Sequence, residues 1–426
     1  MATGRLGLGG RGGAGLAIVV ALALGIARWA GADDAVLSLD RALVLALQNN
    51  PSLRAQDLAV AAARAGETTA RLRPNPVLSI ETADLTVMVT QLIELGGKRA
   101  RRIESARLAT DIATSDLADA RRSLVLTVRS AFAAGLLAQS NLASARENAL
   151  NFQRVEELNQ LRFDAGEISR SDFLKVHLQA LQFAGDVEDA TVGVATAKSA
   201  LRALIASPDF AQDFDLEAAP AASGEAVPSL ESLKTRALAA RPDLKSAETA
   251  VQKAQAEWRL ARAGGATDLS LAVGWQHTGP SFGPPWFEPF YSKAPVTNTL
   301  GFGLSVPLRI FDRNQGEIAR TEVEAERAAE AARSARNQVA SDVETSYAAL
   351  KVSRERVELY ESTYLAAAKE SRDIAEFAYQ KGGTSIVELL DAERTYRGIL
   401  LAYAQARSSY LTAVFQLEAA VGGPSR

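Results

Sequence analysis

The chain has 426 residues, 47% of them hydrophobic and 6% aromatic, with 47 basic against 50 acidic side chains and a net charge of −3. That length allows one large domain or two to three ordinary ones, and the charge offers no basic footprint for a nucleic-acid partner. No cysteine is present, which excludes disulfides and thiolate metal sites.

Residues 1–14 carry Arg5 and Arg11 and no acid; an apolar run, LAIVVALALGIA, follows, and then Ala30-Gly31-Ala32 before Asp33 and Asp34. A basic region, a short apolar run and an A-x-A-like end describe a secretory signal peptide, so residues 1–32 are expected to be removed on export. The run is short for a membrane span, the alternative being an uncleaved anchor. The glycines of GLGGRGGAG have no strand before them and no Gly-Lys-Ser/Thr after them, which sets aside a phosphate loop.

Beyond residue 32 the chain reads as a duplication. LDRALVLALQNNPSLRA (39–55) matches LESLKTRALAARPDLKS (230–246), LIELGGKRARRI (92–103) matches PLRIFDRNQGEI (307–318), and RFDAGEISRSDFLK (162–175) matches AYQKGGTSIVELLD (378–391). The expected division is a first repeat over 33–206, a proline- and alanine-rich linker over 207–229 and a second repeat over 230–426. Residues 98–165 contain one glycine, Gly135, residues 317–381 contain none, and neither stretch contains proline. Rich in Ala, Glu, Arg and Leu, each predicts a helix roughly 100 Å long, too long to fold around an ordinary globular core. Glycine marks the bend after each, at Gly166 and at Gly382 and Gly383.

Each repeat also predicts a strand pair, at 78–83 and 84–93 in the first and at 268–278 and 299–308 in the second. In the last strand Leu300, Phe302, Leu304, Val306 and Leu308 alternate with Thr299, Gly301, Gly303, Ser305 and Pro307. Half of a soluble sheet produces such alternation, but four short strands cannot cover helices of this length. A strand of about 9–11 residues with one apolar face suits a bilayer, with Leu300, Phe302, Leu304 and Val306 facing lipid. Four strands are fewer than the about eight that close a barrel, and open edges cannot face lipid, so several chains are expected to pool their strands. Trp275, Trp286, Phe287, Phe290 and Tyr291 suit an aromatic girdle or an outer loop. The expected fold is therefore mostly α with a small β part, made of duplicated helix–hairpin–helix repeats.

This plan resembles the TolC family of outer-membrane efflux proteins over essentially the whole mature chain, and QLIELGGKRARRIESA is most similar to its CzcC-type branch, which serves heavy-metal exporters. The resemblance implies a homotrimer whose four strands per chain close one transmembrane β-barrel above a long α-helical barrel crossing the periplasm. It implies passive conduction, with an inner-membrane pump supplying energy and a periplasmic adaptor docking at the helical tips, here Gly166, Gly382 and Gly383. GTSIVELLD places Glu388 and Asp391 where the family has acids ringing the periplasmic entrance. Tyr379 matches a family tyrosine that latches the entrance by bonding to an aspartate, whose position Asp172 fills; Thr384 stands where the family has an arginine. The absent cysteine departs from relatives that carry a lipid-modified one, leaving the barrel to hold this chain in the membrane.

No cofactor is expected. His177 and His277 are far apart, and Met88 is the one methionine after the leader, a poor set for zinc or copper. No hydrolase, zinc-protease or nucleotide fingerprint occurs, so an enzyme is not expected. A soluble periplasmic coiled-coil protein would explain the helices but not the four symmetric strands. Multidrug efflux and protein secretion remain open beside metal export, because their outer-membrane components share one architecture.

Overall fold

The computed structural model describes residues 35–81, 85–210, 213–217, 228–278 and 296–423. The expected leader, the aromatic loop with Trp286, Phe287, Phe290 and Tyr291, and the second half of the expected linker lie outside the described residues.

The order is β1 (Ala35–Leu37), α1 (Leu39–Asn49), α2 (Pro51–Arg71), β2 (Val77–Glu81), β3 (Leu85–Ile93), α3 (Lys98–Asp164) and α4 (Arg170–Ile205). It continues with β4 (Phe214–Leu216), α5 (Leu230–Ala240), α6 (Pro242–Gly264), β5 (Leu269–Thr278), β6 (Thr297–Ser305), α7 (Gln315–Leu359), α8 (Leu365–Gln380) and α9 (Ile386–Ala420). Each repeat opens on two helices broken by a proline, which forces the residue before it into an extended conformation and then starts the next helix at its first turn. Asn50 and Arg241 are those residues, with ψ of 120° and 124°. The Asn50 side chain accepts from the backbone of Ser52 and Leu53 at 3.0 and 3.2 Å and donates to the Leu204 carbonyl at 3.0 Å. Buried Arg241 replaces that cap with charge, donating to Asp243 at 2.6 and 2.9 Å and to Asp342 at 2.7 Å. Burial works to discharge Arg241, but the two carboxylates outweigh it and raise its pKa.

α3 is 67 residues long and unbroken, packing along α2, α4, α6 and α9. Its apolar stretch is core: Val125, Val128 and Phe132 are buried with Leu37, Leu201, Ile205, Phe210, Phe214 and Leu216. Its counterpart is not the uninterrupted helix expected. A π-helical turn at Tyr360–Tyr364 separates α7 from α8. Tyr360 packs edge-on against Tyr364 at 5.3 Å, and the Tyr403 hydroxyl of α9 donates to Glu361 at 2.7 Å, so tertiary contacts hold the widened turn.

The expected linker at 207–229 is structural in its first part. Pro208–Phe210 forms a turn of 3-10 helix, and β4 pairs in parallel with β1, Leu37 opposite Leu216. Phe210 and Phe214 are buried in that same core with Phe132 and Leu37; fully burying such a side chain contributes about 1.5–3 kcal/mol. Gly135 is explained by the same strand, since a Cβ there would collide with Leu216 Cδ1.

The other four strands form one antiparallel sheet in the order β2-β3-β5-β6. The predicted hairpins are joined through β3 and β5, from Leu85 opposite His277 to Ile93 opposite Leu269. β2 and β6 are its edges.

Gly135→Ala is expected to destabilise the protein by about 1–3 kcal/mol through overpacking against Leu216. Gly185→Ala on α4, where a Cβ meets nothing within 4 Å, is expected to leave stability equal or higher. Thermal melts of the detergent-solubilised protein followed by circular dichroism read both.

Candidate functional site

Two regions carry chemistry that a helical bundle does not need for its own stability, and the first is the four-stranded sheet. The cross-strand register stacks Ile80, Val87, Trp275 and Leu300 in one row, and Leu78, Val89, Val273 and Phe302 in the next. This face is large and apolar on every strand, yet it is exposed to the point that Phe302 keeps 78% of its surface. The opposite face holds Ser79, Met88, Gly274 and Gly301, with Thr90, Ala272 and Gly303 beside them. A Cβ on Gly303 would sit 3.3 Å from that of Ala272, so the small residues match a crowded side. The alternation read at Leu300, Phe302 and Leu304 therefore extends across all four strands, with Gln91, His277 and Asn298 as polar residues on the apolar side. The last strand runs from Thr297 to Ser305, so Val306 lies just past its end, because Pro307 offers no N–H to extend the ladder.

The second region is the pair of bends at the far end of the long helices. α3 ends with Gly166 at φ 75°, its N–H bonded to the Phe163 carbonyl and that of Glu167 to Arg162. α8 ends identically, with Gly382 at φ 74° bonded to Tyr379 and Gly383 to Ala378. This is the Schellman arrangement, whose left-handed residue favours glycine. The need falls on Gly166 and Gly382, whose added Cβ atoms would meet nothing; Gly383 has no such φ.

After each bend a serine caps the next helix and an acid stands three residues on. Ser169 accepts from the Asp172 N–H at 3.1 Å and donates to its carboxylate at 2.8 Å, and Lys175 reaches the other oxygen at 3.0 Å. The Ser169 bond, then that from Lys175, lowers the Asp172 pKa. Ser385 accepts from the Glu388 N–H at 3.4 Å. Asp172 and Glu388 thus occupy equivalent positions, favoured by the positive end of the helix dipole. Glu388 and Asp391 are both exposed, whereas Ile386 and Leu389 on the same helix turn inward.

The bends are held together by a core of Phe152, Val176, Phe183, Tyr379, Ile386 and Leu389. Within this chain the expected bond from Tyr379 to Asp172 is not made. The buried Tyr379 hydroxyl donates to Asn159 of α3, not to Asp172, and the Arg162 guanidinium lies 5.3 Å over its ring. Asp172 is held at its own helix start by Ser169 and Lys175, while Tyr379 turns inward onto α3. Asn159 is 1% exposed and also donates to the Val155 carbonyl at 2.7 Å, so its amide is used on both sides. The Thr384 hydroxyl is buried without a hydrogen-bond partner among the described residues.

Beside Tyr379 runs a groove of about 320 Å³, lined in part by Arg154, Arg372, Glu376 and Glu393. Burial raises the Glu393 pKa, Arg372 opposes it, and Glu376 and Asp373 add to it. Neither Asn159 nor Glu393 was singled out from sequence. Asn159 stands where the second repeat has Ala375, and Tyr379 where the first repeat has Phe163, so comparing the repeats position by position marks that pair.

Two outcomes follow from this packing. Tyr379→Phe, which leaves Asn159 buried with an unused acceptor, is expected to cost about 1–3 kcal/mol in a denaturant titration, and Asp172→Asn much less. Glu393 has a raised folded pKa, so its ionised form opposes folding above that pKa and the cost disappears as pH falls. Glu393→Gln is expected to raise the thermal midpoint at neutral pH by about 2–4 °C and to lose that gain near pH ~4.

The exposed apolar sheet and the duplicated helices agree with what known proteins show. The family model "Outer membrane efflux protein" matches residues 42–207 and 233–423. The cobalt-zinc-cadmium resistance protein CzcC of Cupriavidus metallidurans is 27% identical over 369 residues, 84% of each chain. A membrane protein from Pseudomonas aeruginosa superposes with a TM-score of 0.76 at 22% identity, covering 90% of each chain. The open-state MtrE outer membrane channel of Neisseria gonorrhoeae does so with a TM-score of 0.71 at 20% identity, covering 90% of this chain and 89% of that one. With both repeats matched and the same fold found in outer-membrane channels, the chain belongs to the outer membrane efflux protein family, the TolC-like channels of the outer membrane that extend into the periplasm.

Proposed function

We propose that this outer-membrane efflux channel is the exit duct of a tripartite exporter, passively conducting heavy-metal cations from the periplasm to the exterior. The observation that carries the duct is the four-stranded sheet, with one continuous exposed apolar face and two open edges. Unpaired backbone groups in hydrocarbon cost several kcal/mol each, so β6 of one chain pairs with β2 of the next until a homotrimer closes the barrel. An inner-membrane pump supplies the energy, and a periplasmic adaptor docks at the tips marked by Gly166, Gly382 and Gly383. The similarity to CzcC supports metal cations as cargo.

At the periplasmic entrance Glu388 and Asp391 of each chain face the axis, where a ring of like charge attracts cations. Tyr379, through Asn159, keeps the second bend against α3 and so holds the entrance narrow.

The test begins with mass. Outer membranes of a Gram-negative host expressing the full-length chain, extracted in mild detergent, are expected to yield a stable trimer. A monomer in the soluble periplasmic fraction would overturn the duct. In planar bilayers the Glu388→Ala/Asp391→Ala variant is expected to lose cation preference and block by multivalent cations. Unchanged selectivity would put those acids away from the pore.

A further inference from the structure

The junctions between strands and helices concentrate positive charge in an otherwise acidic chain. The segments 71–76, 94–102, 262–268 and 306–314 hold nine basic residues against three acids, although the whole chain stands at −3. The sheet register brings all four to one end: Ile93 lies opposite Leu269, Ser270 opposite Ser305, and β2 enters beside them with Val77 opposite Thr90.

The three acids are already engaged. Glu94 receives Arg102 at 2.6 and 3.1 Å, Asp268 receives Lys98 at 2.7 Å, and Asp312 accepts from the Asn314 N–H at 2.8 Å. Arg102 also donates to the Ala70 and Leu72 carbonyls, capping the end of α2. Arg262 makes no ion pair either but lies over the Trp258 ring at 5.0 Å; four other arginines are left over. Arg73, Arg99, Arg309 and Arg313 form no ion pair among the described residues; Arg99 uses only its Nε, on the Arg71 carbonyl, and Arg309 acts on Asp268 only from a distance. Structural arginines do not require this, because a positive cluster without counter-charge repels itself.

Large apolar side chains are interleaved with these arginines. Leu308 is 80% exposed and Phe311 89%, with Ile310 between them and Val306 continuing the apolar face of β6. Arginine beside exposed Leu, Ile and Phe at the end of a lipid-facing sheet is the composition of a membrane–water interface, where apolar groups enter the acyl region and guanidinium groups meet headgroup phosphates. Taking the proposed membrane span as its basis, we infer that Arg73, Arg99, Arg309 and Arg313 form a basic belt that binds anionic phospholipid headgroups in the leaflet facing the helices. Charge complementarity and continuity with the apolar sheet both select that occupant over a soluble anion, which would have no use for Leu308 and Phe311.

The full-length, detergent-solubilised protein would be titrated with phosphatidylglycerol or phosphatidylcholine, and bound lipid counted by native mass spectrometry. Phosphatidylglycerol is expected to bind at least about tenfold more tightly than phosphatidylcholine. The preference should vanish in the quadruple variant Arg73→Gln/Arg99→Gln/Arg309→Gln/Arg313→Gln and survive when the same four become lysine, with circular dichroism confirming the fold of both. Millimolar inorganic phosphate should leave the bound lipid in place; displacement would identify a plain anion site and overturn the lipid belt. Equal binding of the two lipids, or an unaffected glutamine variant, overturns it as well. Reconstitution separates this from the larger reading: protein that inserts into vesicles without lipid preference refutes the belt alone, whereas protein that enters no vesicle refutes the membrane span and the belt with it.

Discussion

A backbone N–H or C=O with no partner is tolerable in water and ruinous in hydrocarbon, and that constraint governs this molecule from one end to the other. The sheet of β2, β3, β5 and β6 carries a large exposed apolar face but satisfies its backbone only internally, leaving both edge strands open. A soluble protein would turn such a face inward. Here nothing among the described residues covers it, and the proposed trimer would meet both needs, with lipid on the face and a neighbouring chain at each edge. The long helices are then the part that is free to remain in water, where caps and solvent satisfy the unpaired groups at their ends.

Duplication gives the same devices twice, and the differences between copies show which device is general. Proline breaks the paired short helices in both repeats, and a Schellman glycine with a capping serine turns both long helices back. These are demands of the chain path. The cap before the proline is different: Asn50 caps the next helix and reaches the Leu204 carbonyl of α4 with neutral bonds, whereas Arg241 joins Asp243 and, on α7, Asp342 through charge. The bend core diverges likewise, with Phe163 stacked on Phe173 in one copy and Tyr379 bonded to Asn159 in the other.

Most of the architecture was legible because it is periodic or punctuated. Strand alternation, the proline-free helices and the glycine bends all appear where the spacing put them, save that the last strand stops at Ser305 and the second long helix is interrupted at Tyr360–Tyr364. What escaped depends on side chains far apart in sequence. Phe210 and Phe214 sit in a segment whose proline and alanine content reads as linker, and only the partner strand at Leu37 makes them core. Tyr379 was recognised, but its partner was not: proximity to Asp172 in the family pattern said nothing of Asn159, which lies 220 residues away along the chain. The widened turn at Tyr360 has no breaker residue, since π-turns are held by packing and not by glycine or proline.

That turn alters how the two repeats would present themselves around an axis. An extra residue in one turn rotates the side chains below it by about 100° relative to those above, and α3 has no counterpart to compensate. In the proposed trimer, helical pairs from the two repeats would be nearly interchangeable above the turn, approaching sixfold quasi-equivalence. Below it they would sort into two alternating kinds, leaving that half only threefold order. A protein gripping that end would meet two distinct grooves in alternation, and would have to carry either two different binding surfaces or one surface that ignores every second groove.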